Sequence, residues 1–239
     1  MKKNLCVFLM ILLAVSAVCT AAPAESAGTA GDATAGQATV ITFTDAAFEA
    51  KVRKALDKPE GDITTEDTAA VTSLDLGNES FDQRNANPEL DIAAIDDLQY
   101  FPSLESLNLS YNSVTDLAPL AQATSLTGLG LTGVRAVDFA PLKALVHLNY
   151  LTIQWIYDAD DDSYKGLESL DVLADMKDLE AIDIKGCGVR DISALAALLK
   201  LWSVFLSDNL ITDVSPLAKL ENLSELELGN NPIDDFSPL

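Results

Sequence analysis

The chain has 239 residues, 37 Asp and Glu against 15 Lys and Arg, a formal charge of −22, and 49% hydrophobic residues. That length suits one large domain or two small ones, and the apolar content is too high for a wholly disordered polypeptide. The acidity argues against nucleic acid and anionic membranes as partners, and one histidine (His147) with three cysteines (Cys6, Cys19, Cys187) excludes multi-histidine and four-cysteine metal sites within one chain.

Met1-Lys2-Lys3-Asn4 forms a short basic segment, Leu5 to Val18 an apolar run broken only by Ser16, and Ala22-Pro23-Ala24 an A-x-A cleavage signal. The pattern predicts a secretory signal peptide over residues 1–24, too short in its apolar part to span a bilayer. A lipid anchor at Cys19 is the less favoured alternative, because Ser16-Ala17-Val18 lacks the usual leucine and small residue ahead of the cysteine. Cleavage would remove Lys2 and Lys3, moving the charge from −22 to −24, and would leave Cys187 as the sole cysteine. Such a protein forms no internal disulfide, so packing must hold it together. Residues 25–39, rich in Ala, Gly and Thr, read as a flexible linker.

A helical N-terminal cap is predicted over residues 40–70. Phe48, Val52, Ala55 and Leu56 share a helical face, with Thr44 or Asp45 as N-cap, and Pro59 and Gly61 end the helix. Thr64 or Thr65 then opens a second short helix.

From residue 71 to residue 239 a 22-residue period governs the chain. Leu104-x-x-Leu107-x-Leu109-x-x-Asn112-x-Val114 recurs from Leu126, Leu179, Leu201 and Leu223, and two longer copies start at Val71 and Leu148. The second half of the unit repeats as well, in Asp116-Leu117-Ala118-Pro119-Leu120 and Asp213-Val214-Ser215-Pro216-Leu217. Seven leucine-rich repeats are predicted, two with insertions, at about 80–90 and 157–166. Each L-x-L core predicts a short parallel strand, and stacking of the units supplies the core that no unit has alone. The expected fold is an α/β solenoid. It is a leucine-rich-repeat horseshoe with strands on the concave face, 3₁₀ or short turns on the convex face, and the helical cap at one end. Asn112, Asn209 and Asn231 follow the strand, where a buried amide satisfies backbone groups at the turn; Val134, Ile156 and Cys187 hold the same slot elsewhere.

The Phe43-x-Asp45 helix start, Lys58-Pro59-x-Gly61-x-Ile63-Thr64, and the 22-residue repeats with Asp-apolar-Ser/Ala-Pro-Leu resemble the internalin-type leucine-rich-repeat proteins of Gram-positive bacteria. The resemblance covers residues 41–239. It implies a secreted or cell-surface binding module, since some members of that family grip host proteins. The two insertions depart from the pattern, and neither a sorting signal nor an immunoglobulin-like cap follows the repeats.

Positions three, five, seven and eight of each unit are expected to face solvent on the concave side. They place Gly128, Gly130 and Gly133 as a floor between Tyr111 and the pair Tyr150 and Trp155, with Phe205 two units on. Aromatics beside a shallow floor suit a protein or glycan ligand. The predicted ligand-binding residues are Tyr111, Tyr150, Gln154, Trp155, Asp183 and Phe205. The insert carries Asp158, Asp160 and Asp162 at the D-x-D-x-D spacing of a calcium loop, a weak calcium candidate because Ser163 and Ser169 stand where Gly and a bidentate Glu belong. A solvated acidic loop is expected there, and no cofactor. No nucleophile–base pair can be assembled: His147 falls at a between-unit surface position, and Cys187 reads as a small buried hydrophobe. The expected function is therefore binding without catalysis. The alternative is a structural or assembly component of the cell envelope, self-associating through the C-terminal repeat.

Overall fold

The computed structural model describes residues 38–156 and 167–239. The predicted signal peptide, Cys19, nearly all of the linker, and Asp158, Asp160 and Asp162 lie outside them.

Seven three- to five-residue strands form one parallel sheet in chain order: β1 Ser73–Asp75, β2 Ser106–Asn108, β3 Gly128–Gly130, β4 Tyr150–Gln154, β5 Ala181–Lys185, β6 Ser203–Phe205 and β7 Glu225–Glu227. The register follows the repeat: in the row Leu74, Leu107, Leu129, Leu151, Ile182, Val204 and Leu226, each residue pairs with the next. Alternation sends these side chains and the leucines two residues on into the core, where Leu74, Leu76, Leu107, Leu109, Ile182 and Ile184 are fully buried. Short 3₁₀ turns, such as Ala118–Gln122, Ala140–Ala144 and Ser215–Lys219, line the opposite side and contribute Leu120, Leu142 and Leu217. The carboxylates of Asp116, Asp138, Asp191 and Asp213 each accept the backbone N–H two residues on at 2.8 Å, starting the turn. In Asp191 and Asp213 that hydrogen bond from serine holds the carboxyl below its ordinary range.

The asparagine ladder forms as the sequence implies. Asn209 Nδ2 donates to the carbonyls of Ile184 (2.6 Å) and Leu206 (3.0 Å), while its Oδ1 accepts from Cys187 N (3.0 Å) and Val189 N (3.1 Å). In the slot held by Cys187, the thiol donates instead, to Ile153 O at 3.1 Å and Lys185 O at 3.3 Å. Burial pushes that thiol up to about 12, so it acts as a hydrogen-bonding core residue.

At the N-terminal end, α1 (Ala46–Ala55) is capped by Asp45, whose Oδ1 accepts from Phe48 N at 2.9 Å. Its Phe48 and Val52 are fully buried, Phe48 packing against Phe43 and Phe101. The second helix, α2 (Thr65–Ala69), starts with a Thr64/Asp67 capping box. Lys51 of α1 reaches the end of the ladder, donating to Leu76 O (2.7 Å), Asn78 Oδ1 (3.1 Å) and Asn112 Oδ1 (3.3 Å). In the first insertion Phe81–Ala86 forms a short helix, α3. Ser80 caps it by accepting from Gln83 N at 3.1 Å, and Gln83 Oε1 accepts from Glu79 N at 2.6 Å.

Candidate functional site: the open face of the sheet

The face of the sheet away from the core carries positions three and five of every unit. On β3 both are glycine, so this strand contributes no side chain above Gly128 and Gly130 and leaves a depression between β2 and β4. A groove of about 330 Å³ lies here, running from Asp75 and Glu79 past Asn108 and Gly130 to Thr152 and Asp183, flanked by Tyr111 and Tyr150. Tyr150 is half-buried and donates to Glu180 Oε2 at 3.2 Å; burial, and then the Glu180 charge, raise its phenol above the ordinary range.

Position eight, just past each strand, has a conformation that the repeat pattern alone does not reveal. Tyr111, Gly133, Trp155, Gly186, Asp208 and Asn230 occupy it in six successive units, and all have positive φ, from 52° to 66°. Gly, Asn and Asp adopt this left-handed region readily, whereas a bulky aromatic is disfavoured by roughly 1–2 kcal/mol. Tyr111 and Trp155 sit there nonetheless. Each rests on the glycine of the following unit: a Cβ on Gly133 would lie 2.9 Å from Tyr111 Cδ1 and 2.6 Å from Phe81 Cζ, and one on Gly186 would overlap the Trp155 ring. Phe81 of α3 meets Tyr111 edge-on, ring centroids 5.0 Å apart, and the buried Arg84 guanidinium stands 5.1 Å from the Phe81 centroid. Thus the first insertion supplies an aromatic support for Tyr111 that the sequence reading missed. The Ser80-x-x-Gln83 signature was the available signal.

The expected residues do not all converge. Tyr111, Tyr150 and Asp183 line the groove, whereas Gln154, Trp155 and Phe205 are outside its lining. Two differ from the expected solvent exposure: Gln154 and Asp183 are each only 6% exposed. Strands about 4.8 Å apart let tall neighbours cover shorter side chains. Gln154 Nε2 donates to Asp183 Oδ2, while Asp183 Oδ1 and the neighbouring Thr152 Oγ1 are buried without a hydrogen-bond partner. Burial pushes the Asp183 carboxyl up to about 6, with Gln154 and Lys185 opposing the shift and Glu227 adding to it.

His147 is on the surface, its Nδ1 3.6 Å from Asp178 Oδ2, while Asp178 Oδ1 pairs with Lys200 at 2.7 Å. Among the described residues no cluster of three His, Cys, Asp or Glu could hold a metal ion, and no helix is long and apolar enough to cross a membrane.

A family model for leucine-rich repeats in two copies matches residues 203–239. No curated protein matches the chain. Among solved structures, internalin C2 of Listeria monocytogenes is 28% identical, with 87% of this chain and 95% of that one covered and a TM-score of 0.62. A second internalin of that species, inlF, is 26% identical over 82% of this chain and 66% of its own, with a TM-score of 0.55. A leucine-rich-repeat protein of Leptospira interrogans shares the fold at 20% identity and a TM-score of 0.55, over 75% of this chain and 40% of that one. With its 22-residue units, capping helices and ordered parallel sheet, the chain has a leucine-rich-repeat fold similar to that of the internalins.

Proposed function

We propose that the chain is a secreted or cell-surface module that grips a protein partner through the open face of its sheet and performs no catalysis. The observation that carries this reading is the pair Tyr111 and Trp155. Both are held in left-handed backbone, where other units use Gly, Asp or Asn. Strain of this kind persists where the side chain has a use. Tyr150 opens β4, the strand that Trp155 follows, and Gln154, Asp183 and Phe205 lie on β4, β5 and β6. Large aromatics at the centre of a contact surface are the usual energetic anchors of protein interfaces. The basic and apolar leader of residues 1–24 supports export.

An array of cell-surface proteins and glycans tests the reading. A protein ligand should be captured, with binding weakened tenfold or more by Tyr150→Ala and by Trp155→Ala. Binding that survives both changes would move the site elsewhere. A glycan is the second reading, favoured by the side-chain-free floor over β3 between aromatic walls, which suits a stacked sugar ring. Mass spectrometry of the mature N-terminus tests the export route: Glu25 marks free secretion, and a lipidated Cys19 a membrane anchor.

A further inference from the structure

The groove has an electrostatic polarity. Its charged lining residues are all carboxylates: Asp75, Glu79 and Asp183. Asp75 is engaged, its Oδ1 accepting from Asn108 Nδ2 at 2.8 Å. Asp183 is different, because it is only 6% exposed and one of its two oxygens has no donor. The adjacent Thr152, opposite it in the β4–β5 register, also has a buried hydroxyl without a partner. Two unsatisfied polar groups side by side beneath one end of a groove are a costly arrangement for a surface whose only task is to fold.

We propose that Asp183 and Thr152 form the anchor for a cationic side chain, Arg or Lys, projecting from the protein partner into the groove between Tyr111 and Tyr150. This deepens the proposed function and rests on its placement of the partner on the open face. A guanidinium fits the chemistry on three counts. Its charge offsets the buried carboxylate, its several N–H groups can serve both Asp183 and the Thr152 oxygen, and its flat face suits the aromatic walls. The Asp183 carboxylate needs little rearrangement to meet it, since χ2 of aspartate is a soft torsion. A sugar hydroxyl could donate to the same oxygens but would leave the buried charge uncompensated.

The test is an NMR titration of the full chain with Nα-acetyl-arginine amide and, separately, with N-acetylglucosamine. The arginine derivative should shift the amide signals of Thr152 and Asp183 in a saturable way, and Asp183→Asn should weaken it at least tenfold. Thr152→Val provides a second variant, expected to weaken binding less. No saturable shift, equal binding by Asp183→Asn, or preferential titration of the groove by the sugar would each overturn the proposal. Partner affinity separates the two levels. If Tyr150→Ala weakens the captured protein partner and Asp183→Asn does not, the open-face reading stands and the cation anchor fails. If neither change weakens it, both fail.

Discussion

Replacing Asp183 with asparagine should stabilise the protein, although the residue is buried and hydrogen-bonded. The native carboxyl titrates at about 6 against 3.8 when unperturbed, chiefly because burial disfavours its charge. Below 3.8 both folded and unfolded chains carry the proton, and no penalty arises. As pH rises from 3.8 through 6 the folded state holds the proton that the unfolded state has released, so stability falls; above 6 the whole penalty is present. At 1.36 kcal/mol per pH unit that penalty is about 3 kcal/mol, and the depth of Asp183 leaves little solvent screening to reduce it. The neutral amide keeps an oxygen for Gln154 Nε2 and removes the charge. Urea unfolding followed by far-UV circular dichroism should therefore show Asp183→Asn more stable than wild type by about 2–3 kcal/mol at pH 7.5. The gain should vanish near pH 3.5. A variant less stable than wild type at pH 7.5, or a gain independent of pH, would refute the account of Asp183 as a destabilising buried charge.

Asn209→Ala should cost at least about 3 kcal/mol, because Ile184 O, Leu206 O, Cys187 N and Val189 N lose their amide partner in the interior, a loss visible as a lower urea midpoint. Gly186→Ala must adopt left-handed φ and displace the Trp155 ring. It should cost about 1–3 kcal/mol and red-shift tryptophan emission in a Trp202→Phe background. Iodoacetamide should leave Cys187 unmodified in the native protein and label it in urea, as peptide mapping would show. Burial lowers Lys51 to about 8 against the opposing charges of Asp91, Asp75 and Asp45. Between pH 8 and 10.5 the unfolded chain holds more protons, so stability should rise with pH by about 1 kcal/mol after allowance for partial exposure, and Lys51→Met should abolish that rise.

Most of the scaffold is legible in the sequence because each repeat writes the same local rule. The leucines of L-x-L must alternate inward, the Asp two residues before a turn must accept its N–H, and Asn209 must follow its strand. Asp45 and Thr64, each offered as one of two alternatives, prove to be the caps of α1 and α2. Heights and contacts across strands are another matter. Gln154 and Asp183 alternate outward as expected, yet both are buried and they hydrogen-bond to each other from positions 29 residues apart. No periodicity reports that coverage. Likewise α3 carries a local signal in Ser80-x-x-Gln83, but the meeting of Phe81 with Tyr111 and Gly133 depends on how the insertion returns over the sheet. The left-handed backbone of position eight is readable where Gly186, Asp208 and Asn230 occupy it and is masked where Tyr111 and Trp155 do.

The claim that the open face of the sheet is the interaction surface is tested most directly by comparing one substitution on that face with one elsewhere. Tyr150→Ala removes a groove wall, whereas Leu199→Ala truncates an apolar side chain, 57% exposed and outside the sheet. Affinity for a captured protein partner should fall about 30-fold for Tyr150→Ala, as loss of a 2 kcal/mol anchor requires, and by less than about twofold for Leu199→Ala. Loss of binding with Leu199→Ala and none with Tyr150→Ala would contradict the account.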